Sequence, residues 1–424
     1  MLTINFIKEN KELVLEKLSI KNFKNLELVE KVLELDTQRR QAQLKYDNSQ
    51  NELNTLSKEI GLLFKSGKVN DANTAKQKTA DLKEEIKTLN EQLASLESDL
   101  RNILVLIPNL PHESVPRGHG AEDNPEIRKG GVKPLLPKNA MPHWDLAKKY
   151  DIIDFELGVK LTGAGFPVYK GKGARLQRAL INFFLDEARK AGYKEIMPPL
   201  MVNEDSGFGT GQLPDKEGQM YFVTEDKFYL IPTAEVPVTN IYRDLILNAT
   251  DFPVKNAAYT PCFRREAGSY GKDVRGLNRL HQFDKVEIVQ IQHPDKSYEA
   301  LEEMVKYVES LVQKLELPYR IIKLCGGDMS FASALTYDFE VYAAAQDKWL
   351  EVSSVSNFES FQANRMKLRF KDVNDKKTKL AHTLNGSALA LPRIVAALLE
   401  NNQSEEGIII PEALISYTGF NIID

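Results

Sequence analysis

The stretch Thr260–Ile291, TPCFRREAGSYGKDVRGLNRLHQFDKVEIVQI, indicates how the larger part of this chain folds. Its flanks alternate β-branched and aromatic residues, and the connection between them contains Gly268, Gly271 and Gly276, which predicts two strands joined by a long loop. One guanidinium group can bind two phosphate oxygens at once, so the cations of this stretch suit a polyphosphate. The competing interpretation is a solvated turn held by salt bridges. These cations are Arg264, Arg265, Lys272, Arg275, Arg279 and Lys285.

An aromatic residue accompanies the cations. Phe283 lies in the returning strand, and an aromatic face next to an arginine can sandwich a flat purine ring. The run FRREAGSYGKDVRGLNRLHQFDKVE resembles the second signature motif of class II aminoacyl-tRNA synthetases, in the form found in seryl-tRNA synthetases. The resemblance implies that Arg264 contacts the α-phosphate of ATP and the amino-acid carboxylate, that Arg275 reaches the far phosphates, and that Phe283 stacks on adenine.

Composition limits the possibilities further. A chain of 424 residues exceeds what one core usually holds, so we expect two domains. The formal net charge is only -4, so any contact with nucleic acid must come from local patches. Cys262 and Cys325, the two cysteines, fit neither a disulfide framework nor zinc-ligand spacing, and no zinc is expected. No signal peptide and no apolar run of roughly 18 residues occurs, so we expect a soluble, cytoplasmic protein without membrane contact.

Residues 1–108 are predicted to form a separate helical arm. Apolar residues recur at alternating steps of three and four along two segments, which predicts two helices that fold back as an antiparallel coiled-coil hairpin. Gly67 should end the first helix, and Asn70 or Asp71 should cap the second. The first seam is Val32, Leu35, Arg39, Ala42, Tyr46, Ser49, Leu53, Leu56, Ile60 and Leu63, and the second is Leu82, Ile86, Leu89, Leu93, Leu96 and Leu100.

An arm of roughly 35 residues per helix is on the order of 50 Å long, which is too long for a core element. Dimerisation or spacing is the common use of such heptads. The resemblance implies instead that the arm lies against the extra arm of a tRNA. Candidate tRNA contacts are Arg39, Arg40, Lys65 and Lys68, for which solvated flank charges are the competing explanation.

Seven prolines between Pro108 and Pro142 exclude long regular elements. We interpret 109–142 as a plain linker and entry segment of a catalytic domain that covers 109–424. Farther on, an amphipathic helix over 174–191 precedes EIMPPLMV, which resembles the first class II motif and implies a homodimer interface. Because proline cannot donate to a central ladder, Pro198 and Pro199 suit an edge or interface strand.

Two segments after the dimer motif point to the substrate. The glycine-rich loop 207–218 is interpreted as a mobile flap, with an ordinary surface loop as the alternative. The tripeptide Thr233-Ala234-Glu235 suggests helix capping by itself, but the resemblance implies that it belongs to a serine pocket. A carboxylate suits serine because the ammonium and the hydroxyl both donate hydrogen bonds. Glu287 is a second candidate, with a salt bridge to Lys285 or to a loop arginine as the competing role, and the sequence leaves open which carboxylate takes the ammonium.

The strand WLEVSSVSNF carries a possible metal site. The resemblance implies that Glu351 and Ser354 hold the Mg²⁺ that bridges ATP phosphates, a role for which few protein oxygens suffice. A solvated strand face is the competing interpretation. Residues three apart point to opposite faces of a regular strand, so joint coordination requires a bulge or a twist.

Residues 381–403 resemble the third class II motif. Their pattern predicts a strand followed by a helix with Pro392 at its first position. Arg393 would oppose the helix dipole unless an anion compensates, and the resemblance implies that this anion is the γ-phosphate. Asn385 and Ser387 would face the serine pocket.

Together these motifs predict an α+β fold, with an N-terminal antiparallel coiled-coil hairpin of helices and a class II synthetase-type antiparallel β-sheet catalytic domain flanked by helices. The implied catalytic residues are Arg264 and Arg393. The implied serine contacts are Thr233, Ala234, Glu235, Arg264, Glu287, Asn385 and Ser387. The implied ATP contacts are Arg264, Arg265, Glu266, Arg275, Phe283, Glu351, Val352, Ser353, Ser354 and Arg393.

The resemblance implies a homodimeric serine–tRNA ligase that uses ATP with Mg²⁺, L-serine and tRNA(Ser), and it leaves tRNA(Sec) open as a second substrate. Two alternatives stay open: an adenylate-forming paralogue that loads a small amino acid onto a carrier protein, and a catalytically inactive scaffold.

Overall fold

The structure is a computed structural model, and it describes residues 1–215, 218–266, 274–373, 375 and 377–424. The chain divides into two units. The first comprises Met1–Ser19 and Phe23–Pro108, and the second comprises Ile20–Asn22 and Asn109–Asp424. The centre of the predicted cationic loop, with Gly268, Gly271 and Lys272, lies outside the described residues, as do Lys216 and Glu217 of the glycine-rich loop.

The first unit is helical, as the spacing of its apolar residues predicts. Its helices are α1 (Ile4–Glu9), α2 (Lys11–Ile20), α3 (Glu27–Lys65) and α4 (Val69–Leu104). The two long helices pack as a hairpin, and the apolar seam of α4, which includes Leu89, Leu93 and Leu96, is buried. The Glu52 carboxylate lies 2.6 Å from the Lys78 ammonium, a pairing that requires antiparallel helices. The predicted hairpin is therefore confirmed.

The turn of the hairpin is confirmed at one end and corrected at the other. Helix α3 ends at Lys65, and Gly67 has a φ of 74°, a backbone conformation that glycine adopts without steric cost. Helix α4 begins at Val69, after an N-cap residue whose side chain makes no capping hydrogen bond. The prediction that Asn70 or Asp71 caps this helix is wrong, because both residues already lie in its first turn.

The second unit combines strands and shorter helices. The strands are β1 (Glu126–Gly130), β2 (Ile153–Asp154), β3 (Val168–Tyr169), β4 (Lys194–Glu195), β5 (Met201–Val202), β6 (Phe222–Val223), β7 (Phe228–Leu230), β8 (Ile246–Asn248), β9 (Val254–Phe263), β10 (Gln282–Gln292), β11 (Tyr319–Lys323), β12 (Leu335–Ala343), β13 (Lys348–Asn357), β14 (Arg369–Lys371), β15 (Thr378–Leu380), β16 (His382–Ala390), β17 (Ile408–Ile409) and β18 (Ile422–Ile423). The helices are α5 (His143–Lys149), α6 (Phe155–Leu161), α7 (Gly171–Lys190), α8 (Glu204–Thr210), α9 (Glu235–Asn240), α10 (Ser297–Lys314), α11 (Phe361–Met366), α12 (Leu391–Asn401) and α13 (Glu412–Thr418).

One large sheet organises this unit, with the strand order β1-β11-β12-β13-β16-β10-β9-β4. Neighbouring strands run antiparallel, except that β4 runs parallel to β9. The adjacent strands β9 and β10 form the predicted hairpin, and Phe263 pairs with Gln282 at the end from which the connecting loop leaves. The predicted α+β fold with an antiparallel sheet is thus confirmed.

The two faces of β10 have different neighbours because side chains alternate along a strand. Val286 and Ile288 belong to a large apolar cluster that also contains residues of α7, α10 and α12, such as Phe184 and Leu301. The side chains between them, including that of Glu287, point to the opposite face. That second face carries the polar residues of the candidate site.

Three local predictions need correction. The segment 109–142 is not a plain linker, because β1 pairs with β11 as the edge strand of the large sheet. The glycine-rich loop is partly helical, since α8 extends to Thr210. In the first class II motif only the short strands β4 and β5 are regular, and the prolines between them lie outside both.

Candidate active site

The β9–β10 hairpin places the first arginine of the cationic group at the start of its connecting loop. The backbone N–H of Arg264 donates to the carbonyl of His281 (2.9 Å), which continues the pairing of the two strands by one step. The Arg264 guanidinium lies 5.3 Å from the centroid of the Phe283 ring, and its Nε donates to the carbonyl of Pro232 (3.4 Å). An arginine and an aromatic ring therefore stand side by side at the position where the sequence predicts a purine.

A buried ion pair lies two residues farther along β10. Lys285 Nζ is 2.5 Å from Glu287 Oε2, and it also donates to Thr233 Oγ1 (2.8 Å). The two residues share one face of the strand because they are two apart. Both side chains are almost fully buried, at 7% and 3% exposure. The salt bridge that the sequence offered as an alternative role for Glu287 is thus present, and it lies inside the polar cluster.

The second carboxylate of the cluster is Glu235, the first residue of α9. Its Oε1 accepts a hydrogen bond from Gln362 Nε2 (2.6 Å), and the Asn385 amide also bonds to it. Burial, together with the nearby charge of Glu287, raises the pKa of the Glu235 carboxyl to about 7. An arriving cation would stabilise the ionised form of this group.

Strand β16 completes the cluster from the other side of β10. Ser387 pairs with Glu287 in register, and its hydroxyl lies 3.5 Å from Glu287 Oε2. Thr233 Oγ1 also reaches Glu287 Oε2 (3.2 Å). The structure therefore brings Thr233, Glu235, Glu287, Asn385 and Ser387 into one hydrogen-bonded group. Ala234 is fully buried beside it and packs in a small apolar cluster.

The strand β13 contains the irregularity that a shared metal site requires. Ser353 pairs with Phe339 of β12, and Glu351 pairs with the next residue, Glu340, so Val352 is an extra residue in β13. The bulge reverses the alternation of side chains, which brings Glu351 and Ser354 to the same face of the sheet. Their backbone positions therefore permit joint coordination.

A third acid stands beside this pair. Asp338 pairs with Ser354 across the two strands and bonds to its hydroxyl. Burial, and then the charge of Glu351, raises the pKa of the Asp338 carboxyl well above its ordinary value. Asp338 Oδ1 is buried without a hydrogen-bond partner. Carboxylate and hydroxyl oxygens with an unsatisfied acceptor nearby fit a hard cation such as Mg²⁺.

Two neighbouring residues have their side chains engaged elsewhere. The Val352 side chain packs in the large apolar cluster, and the Ser353 hydroxyl donates to the carbonyl of Ser387 (2.6 Å). These residues therefore offer ATP their backbone only. Within the described part of the chain, no group of three or more His, Cys, Asp and Glu side chains is arranged to hold a metal ion.

Arg393 lies in the first turn of α12, whose first residue is Leu391, one position earlier than predicted from Pro392. Its Nη1 donates to the carbonyl of Glu351 (2.8 Å), and its Nε donates to the carbonyl of Asn278 (3.1 Å). The guanidinium is one-third exposed and lies 3.8 Å from the Glu351 carboxylate. It is thus held beside the candidate metal site with donors left for an anion.

The remaining predicted ATP contacts lie around the cationic loop. Arg275 is exposed, and its guanidinium lies 4.6 Å from the centroid of the Trp144 ring. Glu266 forms an ion pair with Arg279, while Arg265 is exposed and its backbone N–H donates to the carbonyl of Gln219. Glu266 is therefore a partner of a loop cation in this structure.

In the first unit, the candidate tRNA contacts fall into two kinds. Arg39 and Arg40 both pair with Asp36 of the same helix, at 2.8 and 2.6 Å, so a helical ion-pair cluster accounts for their positions. Lys65 and Lys68 are exposed at the turn of the hairpin. Of the four cations, those at the turn have the side chains more open to a ligand.

Sequence reasoning missed two residues of the site. Gln362 gave no local signal, because it reaches Glu235 across 127 residues of chain. Asp338 had a signal that was overlooked, namely acids at alternate positions of an otherwise apolar strand. Lys285 was not missed, because a salt bridge to Glu287 was one of the roles that the sequence offered, and the structure contains that ion pair.

An antiparallel sheet of this order, with the hairpin that carries Arg264 and Phe283, the bulged acidic strand and the arginine at the start of α12, defines a class II aminoacyl-tRNA synthetase. The family of class II core domains for G, H, P, S and T matches residues 221–402, and the family of seryl-tRNA synthetase N-terminal domains matches residues 1–111. The chain belongs to the seryl-tRNA synthetase family.

Relatives agree along the whole chain. It is 51% identical to the serine–tRNA ligase of Salinibacter ruber over 99% of this chain and 98% of the relative, and 46% identical to that of Prosthecochloris aestuarii over 100% and 99%. A seryl-tRNA synthetase structure from Pyrococcus horikoshii complexed with ATP superposes with a TM-score of 0.93 at 34% identity, covering 100% of this chain and 99% of that one. The cytoplasmic enzyme of Naegleria fowleri in complex with AMP gives 0.89 at 27% identity, with the same coverage.

These relatives confirm the predicted fold class and the enzyme class, a class II serine–tRNA ligase. Among the residues that the structure describes, no helix is both long and apolar enough to cross a membrane.

Proposed function

We propose that this enzyme activates L-serine with ATP to seryl-adenylate and then transfers serine to the 3′-terminal ribose of tRNA(Ser). The observation that carries the proposal is the closed polar cluster of Thr233, Glu235, Glu287 and Ser387, which lies beside Arg264. It is small and rich in acceptors, as an amino acid with an ammonium and a hydroxyl requires. A pocket that pairs with a hydroxyl rejects analogues that lack it, because its polar groups would be left unpaired.

In the first step, the serine carboxylate attacks the α-phosphorus of ATP in line, and the bond to the bridging oxygen of pyrophosphate breaks. Arg264 would bind the attacking carboxylate and the α-phosphate, while Phe283 stacks on adenine. Arg275 and Arg393 would bind the far phosphates. Cations fixed where negative charge accumulates lower the barrier, and no side-chain nucleophile is needed.

Glu351 and Ser354 would hold Mg²⁺ against the phosphates. The ion supplies neutralisation of the phosphate charge. In the second step, the ribose hydroxyl of the tRNA attacks the carbonyl carbon of the adenylate, and AMP leaves.

Within the serine pocket, we assign the ammonium to Glu235 and the hydroxyl to Glu287 with Ser387. Glu287 already has a counter-ion in Lys285, whereas the hydrogen-bond donors to Glu235 are the neutral amides of Gln362 and Asn385. A cation gains more from a carboxylate whose charge is not yet neutralised.

We further propose that residues 1–108 form the tRNA-binding arm and 109–424 the aminoacylation domain, and that the enzyme works as a cytoplasmic homodimer. Support for the dimer comes from exposed apolar side chains: Met197 is 90% exposed and Leu135 is fully exposed. Light scattering should give a mass of twice 48.0 kDa. A mass of 48.0 kDa at micromolar concentration would contradict the dimer.

The test of the reaction is ATP–pyrophosphate exchange across the standard amino acids without tRNA, followed by charging of total tRNA. We expect exchange with serine, none with alanine, and charging of serine tRNAs. Including selenocysteine tRNA in the charging step decides whether it is a second substrate. Exchange without charging would instead favour loading of a carrier protein, an alternative that the full-length match to the family disfavours.

The role of the arm has its own test. Deleting 26–104 and closing the chain with a short glycine linker should spare serine-dependent exchange and abolish charging. Normal charging by the shortened protein would refute the assignment of the arm.

A further inference from the structure

A buried histidine of α5 contacts the chain just after the cationic loop. Leu277 lies two residues after Arg275. Its backbone N–H donates to His143 Nε2 (2.8 Å). His143 Nδ1 lies 2.7 Å from Glu400 Oε1, and both side chains are fully buried. Because Leu277 can only donate, His143 Nε2 must accept, which places the imidazole proton on Nδ1, facing Glu400.

Glu400, near the end of α12, accepts hydrogen bonds from two segments. Its Oε1 accepts the backbone N–H of His143 (3.0 Å), the His143 ring and Gln346 Nε2 (2.7 Å). Its Oε2 accepts the backbone N–H groups of Ala345 (3.1 Å) and Gln346 (3.2 Å), which lie in the turn between β12 and β13. A buried carboxylate with this many donors is fully satisfied and rigid.

The network continues to both arginines that we propose for the far phosphates. Gln346 Oε1 accepts from Asn278 Nδ2 (2.9 Å), and the Asn278 carbonyl accepts from Arg393 Nε (3.1 Å). Arg275 stacks on Trp144, the residue next to His143. Gly276, the residue after Arg275, has a φ of 65°. A Cβ atom at this position would lie 2.2 Å from His143 Nε2, so the backbone of Gly276 is in direct contact with the imidazole.

We propose that His143 and Glu400 are positioning residues for ATP, which fix the chain at 275–278 and thereby place Arg275 and Arg393 for the β- and γ-phosphates. The proposal rests on the phosphate roles given to these arginines above. Neither residue touches substrate in this account. Their effect is therefore on ATP binding and on the adenylation rate, and not on the serine pocket, whose contacts come from other residues.

Two substitutions of one residue separate the contacts. In His143→Asn the side-chain amide nitrogen can take the position of Nδ1, so a donor to Glu400 remains. The shorter side chain has no atom at the position of Nε2, so the acceptor for the Leu277 N–H is lost. In His143→Gln an oxygen reaches the depth of Nε2, so the acceptor for Leu277 remains. Glu400→Gln replaces one oxygen by a donor, which opposes the N–H groups that converge there.

The measurement is the KM for ATP and for serine in pyrophosphate exchange, together with the dissociation constant of ATP from titration calorimetry in the presence of Mg²⁺. We expect His143→Asn and Glu400→Gln to raise the KM and dissociation constant of ATP about tenfold or more, because buried donors lose their acceptor. The KM for serine should change less than about twofold, and His143→Gln should recover part of the ATP affinity.

A matched control is His382→Asn. His382 is a half-buried histidine whose Nδ1 lies 2.8 Å from the hydroxyl oxygen of Ser297, and we give it no part in binding. It should lower the melting temperature without changing the KM for ATP. If His143→Asn fails to fold, Glu400→Gln and His143→Gln carry the same comparison.

An unchanged ATP affinity in His143→Asn and Glu400→Gln would overturn the proposal, and so would equal losses for ATP and serine or equal behaviour of the two His143 variants. Failure of the proposed function has a different signature, since the unaltered enzyme would then show no serine-dependent exchange. The calorimetric titration of ATP would still decide the role of His143 in that case.

Discussion

The proposed serine side and the proposed triphosphate side of the active site are built in different ways. On the serine side, the Lys285–Glu287 pair is 7% and 3% exposed and has neutral partners around it. On the triphosphate side, the Arg393 and Glu351 side chains are 33% and 51% exposed. Buried polar groups must find partners during folding, whereas exposed ones stay hydrated until a ligand arrives. Recognition of serine should therefore be coupled to stability, and catalysis at the phosphates should not.

The largest expected effect is a loss of reaction rate on the exposed triphosphate side. Arg393→Ala should lower the kcat of pyrophosphate exchange by about 100- to 1,000-fold, because it removes a fixed cation where charge accumulates. Binding of serine and the melting temperature should change little. Stopped-flow and calorimetric measurements check this, with Arg393→Lys as the control that keeps the charge but loses the paired donors. A rate loss below tenfold would remove Arg393 from the catalytic residues.

The sharpest comparison uses the same substitution on each side. Glu287→Gln leaves the buried Lys285 without its counter-ion, which should cost on the order of 3 kcal/mol of folding free energy and raise the KM for serine more than about tenfold. Glu351→Gln lies on the exposed strand face, so the free energy of unfolding should stay within about 0.5 kcal/mol. Its effect should be a higher Mg²⁺ requirement.

Urea unfolding and exchange assays at several Mg²⁺ concentrations measure both variants. Equal losses of stability in the two would contradict the division of the site into a buried and an open side.

A smaller effect is the release of protons when serine binds. Burial and the charge of Glu287 raise the pKa of Glu235 to about 7 in the folded enzyme, above the value of 4.5 for a free side chain. Near pH 6 the serine ammonium should drive the protonated carboxyl to ionise, so binding should release up to about one proton, and the affinity for serine should rise with pH through 7. Calorimetry in buffers of different ionisation enthalpy measures this release, and Glu235→Gln should abolish it.

The same pKa has a consequence for the stability of the enzyme without ligands. Between pH 4.5 and about 7 the unfolded chain ionises Glu235 while the folded chain keeps it protonated, so the contribution of this group falls as pH rises. The unfolding free energy of Glu235→Gln should lack this decline. Identical pH profiles for the two proteins would show that the carboxyl titrates normally.

The smallest effect is expected for Ser354→Ala. A water molecule can replace the lost hydroxyl ligand on Mg²⁺, so the Mg²⁺ concentration for half-maximal exchange should rise only about threefold. Titration with Mn²⁺ followed by electron paramagnetic resonance checks the affinity directly. A loss as large as that of Glu351→Gln would mean that the hydroxyl is a full partner at the metal.

The resemblance of the motifs to a known family indicated most residues of the candidate site, and local spacing predicted the strands and the helix start that carry them. The pair Lys285 and Glu287 follows from two-residue alternation, and Arg393 follows from its place at a helix start. The predicted cap of α4, Asn70 or Asp71, lies two or three residues after the observed N-cap Lys68, because the backbone turn at Gly67 lets the helix begin earlier. The linker at 109–142 was misjudged because the pairing of β1 with β11 joins distant parts of the chain.

What the sequence by itself determined is whatever depends on near neighbours along the chain: the heptad hairpin, the β9–β10 hairpin, and the family to which its motifs belong. Only the tertiary structure decided the contacts that join distant segments, such as Gln362 with Glu235 and His143 with Glu400 and Leu277. The bulge at Val352 also belongs here, because it exists only in register with β12. The physical reason is that a buried polar group must be satisfied wherever it lies in space, and its partner has no required separation in sequence.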